Sequence, residues 1–253
     1  MRYLVLSDVH ANALALQAVL RHARLKRWNE TLFLGDAIGY YPQSEEAVVL
    51  LRELGPAVAL VGNHENLLFA KAEGREVTAY REDGVVTEVI LRHLKDLSSE
   101  SLAYLRGFSG RVQREGWEAV HGALRDPWEY LNTLQRAQEN APYLRADLCF
   151  VGHTHVPKVF ASAQGPQGEL WRTVSFRGES AVYRIPPNAR VIFNPGSVGQ
   201  PRDGIPLASY AIFDEEHRVL ELYRVPYDLV AMQRLVLEKG YPEALAHRLS
   251  VGT

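Results

Sequence analysis

Five short polar blocks carry the residue types in this chain that can do chemistry. They are Asp8-Val9-His10, Gly35-Asp36, Gly62-Asn63-His64-Glu65, His121-Gly122 and Gly152-His153-Thr154-His155. Carboxylate, amide oxygen and imidazole donors suit hard-to-borderline divalent cations such as Mn, Fe, Co, Ni or Zn. The single cysteine, Cys149, lies in the apolar run DLCFV, which reads as a buried small hydrophobe and excludes a Cys-rich structural zinc site. Asp8, His10, Asp36, Asn63, His121, His153 and His155 are more donors than one ion needs. Two ions sharing one bridging carboxylate use the set economically. Such pairs, about 3.5–4 Å apart, clamp the attacking and leaving oxygens of an in-line displacement at phosphorus.

Taken alone, each block has an ordinary explanation. Asp and Asn favour turns and helix caps. His153 and His155 would point to one face of an extended strand, yet histidines also serve as surface or hydrogen-bonded core residues, and that segment by itself favours neither reading. The balance shifts because the blocks agree. Apolar stretches precede them at Tyr3–Ser7, Thr31–Leu34, Ala57–Val61, Trp117–Val120 and Leu148–Val151. In open α/β sheets, ligand sites form beyond the carboxyl ends of the strands. The other histidines, His22, His93, His217 and His247, fall in helix or hairpin patterns and read as surface or packing residues.

The elements that must position these blocks are legible in outline. Ala13–Arg24 is amphipathic at helical spacing with Asn12 as its N-cap, and Glu45–Leu54 is a second such stretch. Strand, helix, strand, helix, strand predicts a parallel α/β sheet. Val85–Arg106 is helical in pattern, and so is Trp128–Glu139. Strand-like runs follow at Leu170–Phe176, Ala181–Ile185, Val191–Phe193, Tyr210–Phe213 and Val219–Val225, and helices close the chain from about residue 229. Parallel units first and hairpins later suggest two sheets packed face to face. With 253 residues, 47 % hydrophobic, and no dividing linker, we expect a single domain over 1–253.

A formal net charge of -2 and the lack of a basic run argue against polymeric nucleic acid as the main partner. The apolar stretch at the N-terminus is too short to span a bilayer or to act as a signal sequence. It reads as the first core strand of a cytoplasmic protein without a membrane partner.

The five blocks, in this order, resemble the calcineurin-like metallophosphoesterase family, and Asn194-Pro195-Gly196-Ser197-Val198-Gly199 follows them as it does in many bacterial members. The resemblance implies an α/β fold in four layers, αββα, with two mixed β-sheets flanked by helices. It implies two divalent metal ions. Asp8, His10 and His155 would hold the first, Asn63, His121 and His153 the second, and Asp36 would bridge them. His64 would protonate the leaving oxygen, with Glu65 orienting it, while a hydroxide shared by the ions attacks phosphorus in line. The implied reaction is hydrolysis of a small phosphodiester or phosphomonoester, including nucleotide-type substrates.

Two departures bear on substrate. Protein phosphatases and symmetric diadenosine tetraphosphatases of this family carry an Asp-Arg pair soon after the bridging Asp and an Arg before the G-N-H block. Here those segments read GDAIGYYPQSEE and LVGNHE; neither arginine is present, which counts against those two subclasses. Arg202, in SVGQPRDG, is the best local candidate for a phosphate clamp, because guanidinium binds phosphate bidentately; an ordinary loop arginine is the equal alternative. Arg125 is a weaker candidate. Tyr40 and Tyr41 read as packing groups or as a platform for a ring. The competing function is a metal-binding scaffold that uses the same fold for protein interaction, but such members lose the proton-donating histidine, and His64 is present. The oligomeric state is open, and a homo-oligomer is compatible with the sequence.

Overall fold

The computed structural model describes residues 1–77, 84–166 and 168–253. The first part of the chain alternates β1 (Arg2–Leu6), α1 (Ala13–Ala23), β2 (Glu30–Phe33), α2 (Ser44–Leu54) and β3 (Val58–Ala59). Three helices follow: α3 (Asn63–Ala72), α4 (Gly84–Asp96) and α5 (Ser99–Arg106). The second half holds β4 (Arg111–Gln113), β5 (Trp117–Val120), α6 (Leu134–Asn140), β6 (Leu148–Phe150), β7 (Lys158–Gly165), β8 (Gly168–Ser175) and β9 (Ser180–Arg184). It ends with β10 (Val191–Asn194), β11 (Ala208–Asp214), β12 (Val219–Val225), α7 (Leu229–Glu238) and α8 (Glu243–Val251).

These strands form two six-stranded sheets, in the orders β3-β2-β1-β11-β12-β9 and β4-β5-β6-β10-β7-β8. Both are mixed. β1, β2 and β3 run parallel, with Tyr3 opposite Glu30 and Leu32 opposite Val58, while β11 lies antiparallel on the other side of β1. In the second sheet β5, β6 and β10 are parallel, and β7 returns antiparallel beside β10.

The side-chain period of 2 sorts each strand between two cores. Tyr3 and Val5 of β1, Leu148 and Phe150 of β6, and Val191 and Phe193 of β10 meet between the sheets. Leu4 and Leu6 turn the other way, onto Leu16 and Val19 of α1 and Val48 and Leu51 of α2. Cys149 and Ile192 turn outward onto Leu131 and Ala137, the second of these on α6. The result is the four-layer αββα sandwich. Phe150 and Phe193 are fully buried, each stabilising the inter-sheet core by roughly 1.5–3 kcal/mol. The C-terminal helices cover a further face, where Met232, Val236, Leu245 and Leu249 pack with Tyr40 and Tyr41.

Three elements differ from the sequence reading. Residues 63–72 form α3 instead of a strand-end loop; Asn63, His64 and Glu65 are its first turn. The stretch read as helix from Trp128 is helical only from Leu134, where the Thr133 hydroxyl accepts from Arg136 N at 3.2 Å. Strand β7, KVFASAQG, was not anticipated, because Ala, Ser and Gln carry no β signal; its pairing with β8 and β10 forms it. Asn12 does cap α1, accepting from Ala15 N at 3.0 Å. Its Nδ2 also donates to Gly199 O at 2.9 Å, which ties the first site loop to the loop after β10. Among the described residues, no helix is long and apolar enough to cross a membrane.

Candidate metal centre

Because β1, β2 and β3 are parallel, their carboxyl ends open on one edge, and the loops there carry Asp8 and His10, Asp36, and Asn63. β5 and β6 deliver His121 and His153/His155 to the facing edge of the second sheet. Backbone bonds lock the two edges together: Val198 N donates to Ser7 O and Gly199 N to Asp8 O, both at 3.0 Å. All seven expected donors are brought together. Asp8, His10, Asp36, His121, His153 and His155 are buried, and Asn63 is half-buried.

One ligand atom each from Asp8, His10, Asp36 and His155 lies within 4.8 Å of the others, and so does one each from Asp36, His121 and His153. Asp36 belongs to both groups. Asn63 adds an oxygen to the second, with its Oδ1 3.2 Å from His121 Nε2.

The second atom of each imidazole fixes which nitrogen faces the cluster. His10 Nδ1 donates to Ile38 O at 3.1 Å, His155 Nδ1 to Gln200 O at 2.6 Å, and His121 Nδ1 to Leu34 O at 2.7 Å. His153 uses Nε2 instead, toward Trp128 O at 3.1 Å. Carbonyls accept only, so each bonded nitrogen carries its proton and the other is free to ligate. His10 Nε2 and His155 Nε2 therefore turn lone pairs on each other at 3.0 Å. Asp36 Oδ2 is buried with no hydrogen bond and lies 3.3 Å from His121 Nε2 and 3.7 Å from His10 Nε2. Opposed lone pairs and an orphaned carboxylate oxygen are unfavourable without a cation, so the donor set fits divalent metal.

The backbone is strained at the same residues. Asp8, His10, Asp36, His153 and His155 all have positive φ, between 51° and 64°. Strain of this kind persists where the surroundings over-determine it, and it clusters at functional sites. Glu65 supplies part of the hold. Its carboxylate accepts from Asp36 N, Ala37 N, Ile38 N and Gly62 N at 2.8–3.3 Å. It thus pins the loop that carries Asp36. The expected contact that would orient His64 is not made, since His64 Nδ1 has no hydrogen-bond partner. Gly62 is needed for close approach: a Cβ there would collide with the Asp36 carboxylate.

Charge in the cluster is strongly redistributed. Burial pulls the His121 imidazole down, but Asp36 more than reverses this, leaving it at about 9. Asp36 resists burial and is held well below the usual carboxylate range by His121 and His64. Burial, with Asp36 nearby, pushes Asp8 up to about 7, and burial lowers His10, His153 and His155. Without a cation, Asp36 thus draws His121 toward its protonated form. A cation requires neutral imidazole, so it must displace that proton, and its affinity rises with pH up to about 9. We expect calorimetry of Mn binding at pH 7.5 in two buffers of different ionisation enthalpy to show release of about one proton or more per chain. No proton release would contradict this arrangement.

Arg202 borders the cluster. Its guanidinium donates to Gln200 Oε1 at 2.8 Å and Tyr40 OH at 3.0 Å, and its charge acts on Asp8, His10, His64, His153 and His155. Arg125 is elsewhere, paired with Glu129 and Glu139. Tyr41 is a packing group whose hydroxyl accepts from Gln200 Nε2 at 3.0 Å, whereas Tyr40 stands edge-on to His10 at 4.7 Å between ring centroids. The sequence reading missed two neighbours of the cluster. Tyr130 stacks on His153 with centroids 4.1 Å apart; the Asp126-Pro127 turn signal could have removed it from the expected helix. Arg248, on α8, had no distinguishing signal. His93, expected at the surface or in packing, is buried and straps the Tyr40 loop: Gly39 N donates to its Nδ1 at 3.2 Å, and its Nε2 donates to Tyr41 O at 2.9 Å.

Known proteins share this arrangement of chain. Residues 1–218 match the calcineurin-like phosphoesterase superfamily domain. An uncharacterized protein of Methanocaldococcus jannaschii is 32% identical over 254 residues, covering 98% of this chain and 97% of that one. The crystal structure of a metallophosphoesterase from Sphaerobacter thermophilus superposes with a TM-score of 0.84 at 36% identity, over 100% of this chain and 99% of the other. A symmetrical bis(5'-nucleosyl)-tetraphosphatase of Methylococcus capsulatus is 36% identical over 118 residues, 46% of this chain and 40% of its own. The family match spans the strands that deliver every donor of the cluster, and the chain belongs to the calcineurin-like phosphoesterase superfamily.

Proposed function

We propose that the protein is a dinuclear metal-dependent phosphoesterase that hydrolyses a small phosphodiester or phosphomonoester, with nucleotide-type substrates included. The observation that carries this reading is Asp36 Oδ2, buried, without a hydrogen bond, and within reach of both donor groups. Asp8, His10 and His155 would hold one ion, Asn63, His121 and His153 the other, and Asp36 both; Mn, Fe, Co, Ni and Zn all suit these donors. Bound divalent ions supply activated water near neutral pH and stabilise charge on the phosphoryl oxygens.

The chain's own residues do the rest. Arg202 binds a non-bridging phosphoryl oxygen, with Tyr40 and Gln200 holding its guanidinium in place. His64 Nε2, 4.0 Å from Asp36 Oδ2, lies where a leaving oxygen needs a proton. Burial keeps the imidazole neutral before substrate enters, and a negative phosphoester arriving between it and Arg202 raises its proton affinity. The partly aligned relative is a symmetrical bis(5'-nucleosyl)-tetraphosphatase, which supports a nucleotide-type substrate here, though not that subclass itself.

Stripping metal from the full-length protein should abolish hydrolysis of bis(p-nitrophenyl) phosphate, and Mn should restore it. His64→Ala should lower kcat by about 10²–10⁴ on an alkyl ester, whose leaving alkoxide needs a proton. The loss should be far smaller on the nitrophenyl ester, whose leaving group needs none. Equal losses on both esters would remove His64 from the acid role, and a metal-replete wild type inert on a broad phosphoester panel would favour the scaffold reading.

A further inference from the structure

Two arginines converge on one tyrosine at the rim of the cluster, and neither forms an ion pair with an Asp or Glu side chain among the described residues. Tyr40 lies against His10 and His64, with ring centroids 4.7 Å and 4.9 Å away. The guanidinium carbon of Arg202 is 5.6 Å from the Tyr40 centroid, and that of Arg248 is 5.5 Å from it. Arg202 is held by Gln200, Tyr40 and Tyr130. Arg248 is held only at Nε, which donates to Thr253 O at 2.8 Å; its two Nη groups have no hydrogen-bond partner among the described residues.

The two cations differ in what they reach. Arg202 acts on Asp8 and on the cluster histidines as well as on Tyr40 and Tyr41, whereas the charge of Arg248 registers at Tyr40 and Tyr41. Tyr40, which touches His10 and His64, is the ring that both guanidiniums share. A half-buried guanidinium with its fork unengaged, one aromatic ring from the arginine assigned above to the phosphoryl group, offers donors to a second anion.

We infer that Arg248, across Tyr40 from the cluster, binds a second phosphate of the substrate, so that the preferred substrates are phosphoesters bearing a diphosphate or longer chain. This rests on the phosphoesterase reading of the site. The scissile phosphate lies at Arg202 and the metal ligands, and the next phosphate points outward to the Arg248 Nη groups.

The test is calorimetric titration of the metal-loaded full-length protein with orthophosphate and with methylenediphosphonate, a diphosphate analogue that cannot be hydrolysed. Chelation of metal by the diphosphonate is common to wild type and variants, so the change in the affinity ratio isolates Arg248. Arg248→Gln should weaken diphosphonate binding at least about tenfold more than orthophosphate binding, the loss of one charge-assisted contact. Arg248→Lys should recover part of the difference. If Arg248→Gln does not fold, Arg248→Lys carries the test and must still weaken diphosphonate more than orthophosphate. An unchanged ratio, in an enzyme that hydrolyses the chromogenic ester, overturns this inference alone. A wild type that binds neither anion and hydrolyses no ester overturns the phosphoesterase reading and this inference with it.

Discussion

Asp36→Asn should abolish hydrolysis, by about three orders of magnitude or more, and leave at most one tightly held ion per chain. The direction follows from which carboxylate oxygen is already committed. Asp36 Oδ1 accepts from His64 N at 2.9 Å, so the amide oxygen of an asparagine will keep that bond. Its NH2 then takes the Oδ2 position, 3.3 Å from His121 Nε2 and 3.7 Å from His10 Nε2. A donor group pointing into a cation site repels the cation, and a neutral amide cannot bridge two. Losing the several kcal/mol that metal supplies to the transition state corresponds to a loss of this size. The variant should still fold, because the new NH2 hydrogen-bonds the imidazole that the carboxylate faced before. Elemental analysis for metal per chain, together with kcat on bis(p-nitrophenyl) phosphate, checks both halves. Full activity with full metal content would remove Asp36 from the bridging position.

Metal should also stabilise the fold by a large margin. At free metal about a thousandfold above Kd, binding to the native state alone adds about 4 kcal/mol, and at 2–4 °C per kcal/mol for chains near this size the melting temperature should rise by roughly 10 °C. The physical source is visible at His10 Nε2 and His155 Nε2, 3.0 Å apart with lone pairs opposed, and at the buried carboxylates of Asp8 and Asp36 beside them. A cation turns each of these repulsions into an attraction, and the unfolded chain gains little because the donors come from five separate loops. Scanning calorimetry with Mn and with chelator reads the shift, and Asp36→Asn should lose most of it. A melting temperature indifferent to both metal and chelator would show that the cluster does not hold a cation.

The sequence by itself determined the chemistry of the donors and the order of their arrival. Alternating apolar stretches and amphipathic helices are local signals, written in neighbouring residues, and they identified β1, α1, β2 and α2, together with the polar blocks after β1, β2, β5 and β6. The motif order then supplied the family, the four layers and the donor set proposed here as metal ligands. Glu65 shows the limit of that reading. Its place beside His64 in the chain suggested a partnership, but the first turn of α3 aims its carboxylate at four backbone amides of other loops.

Only the tertiary structure decided the contacts between segments far apart in sequence. Strand β7 exists because β10 and β8 flank it. Tyr130 lies on His153 because the segment after Pro127 does not become helix until Leu134. Arg248 reaches Tyr40 because α8 packs over the loop after β2, across about two hundred residues that no local periodicity relates. The imidazole tautomers belong here too: carbonyls of Ile38, Leu34, Gln200 and Trp128 set them, and a backbone carbonyl is the same group at every position. Side-chain type fixes which donors are present, but their convergence on shared points is a property of the packed sheets.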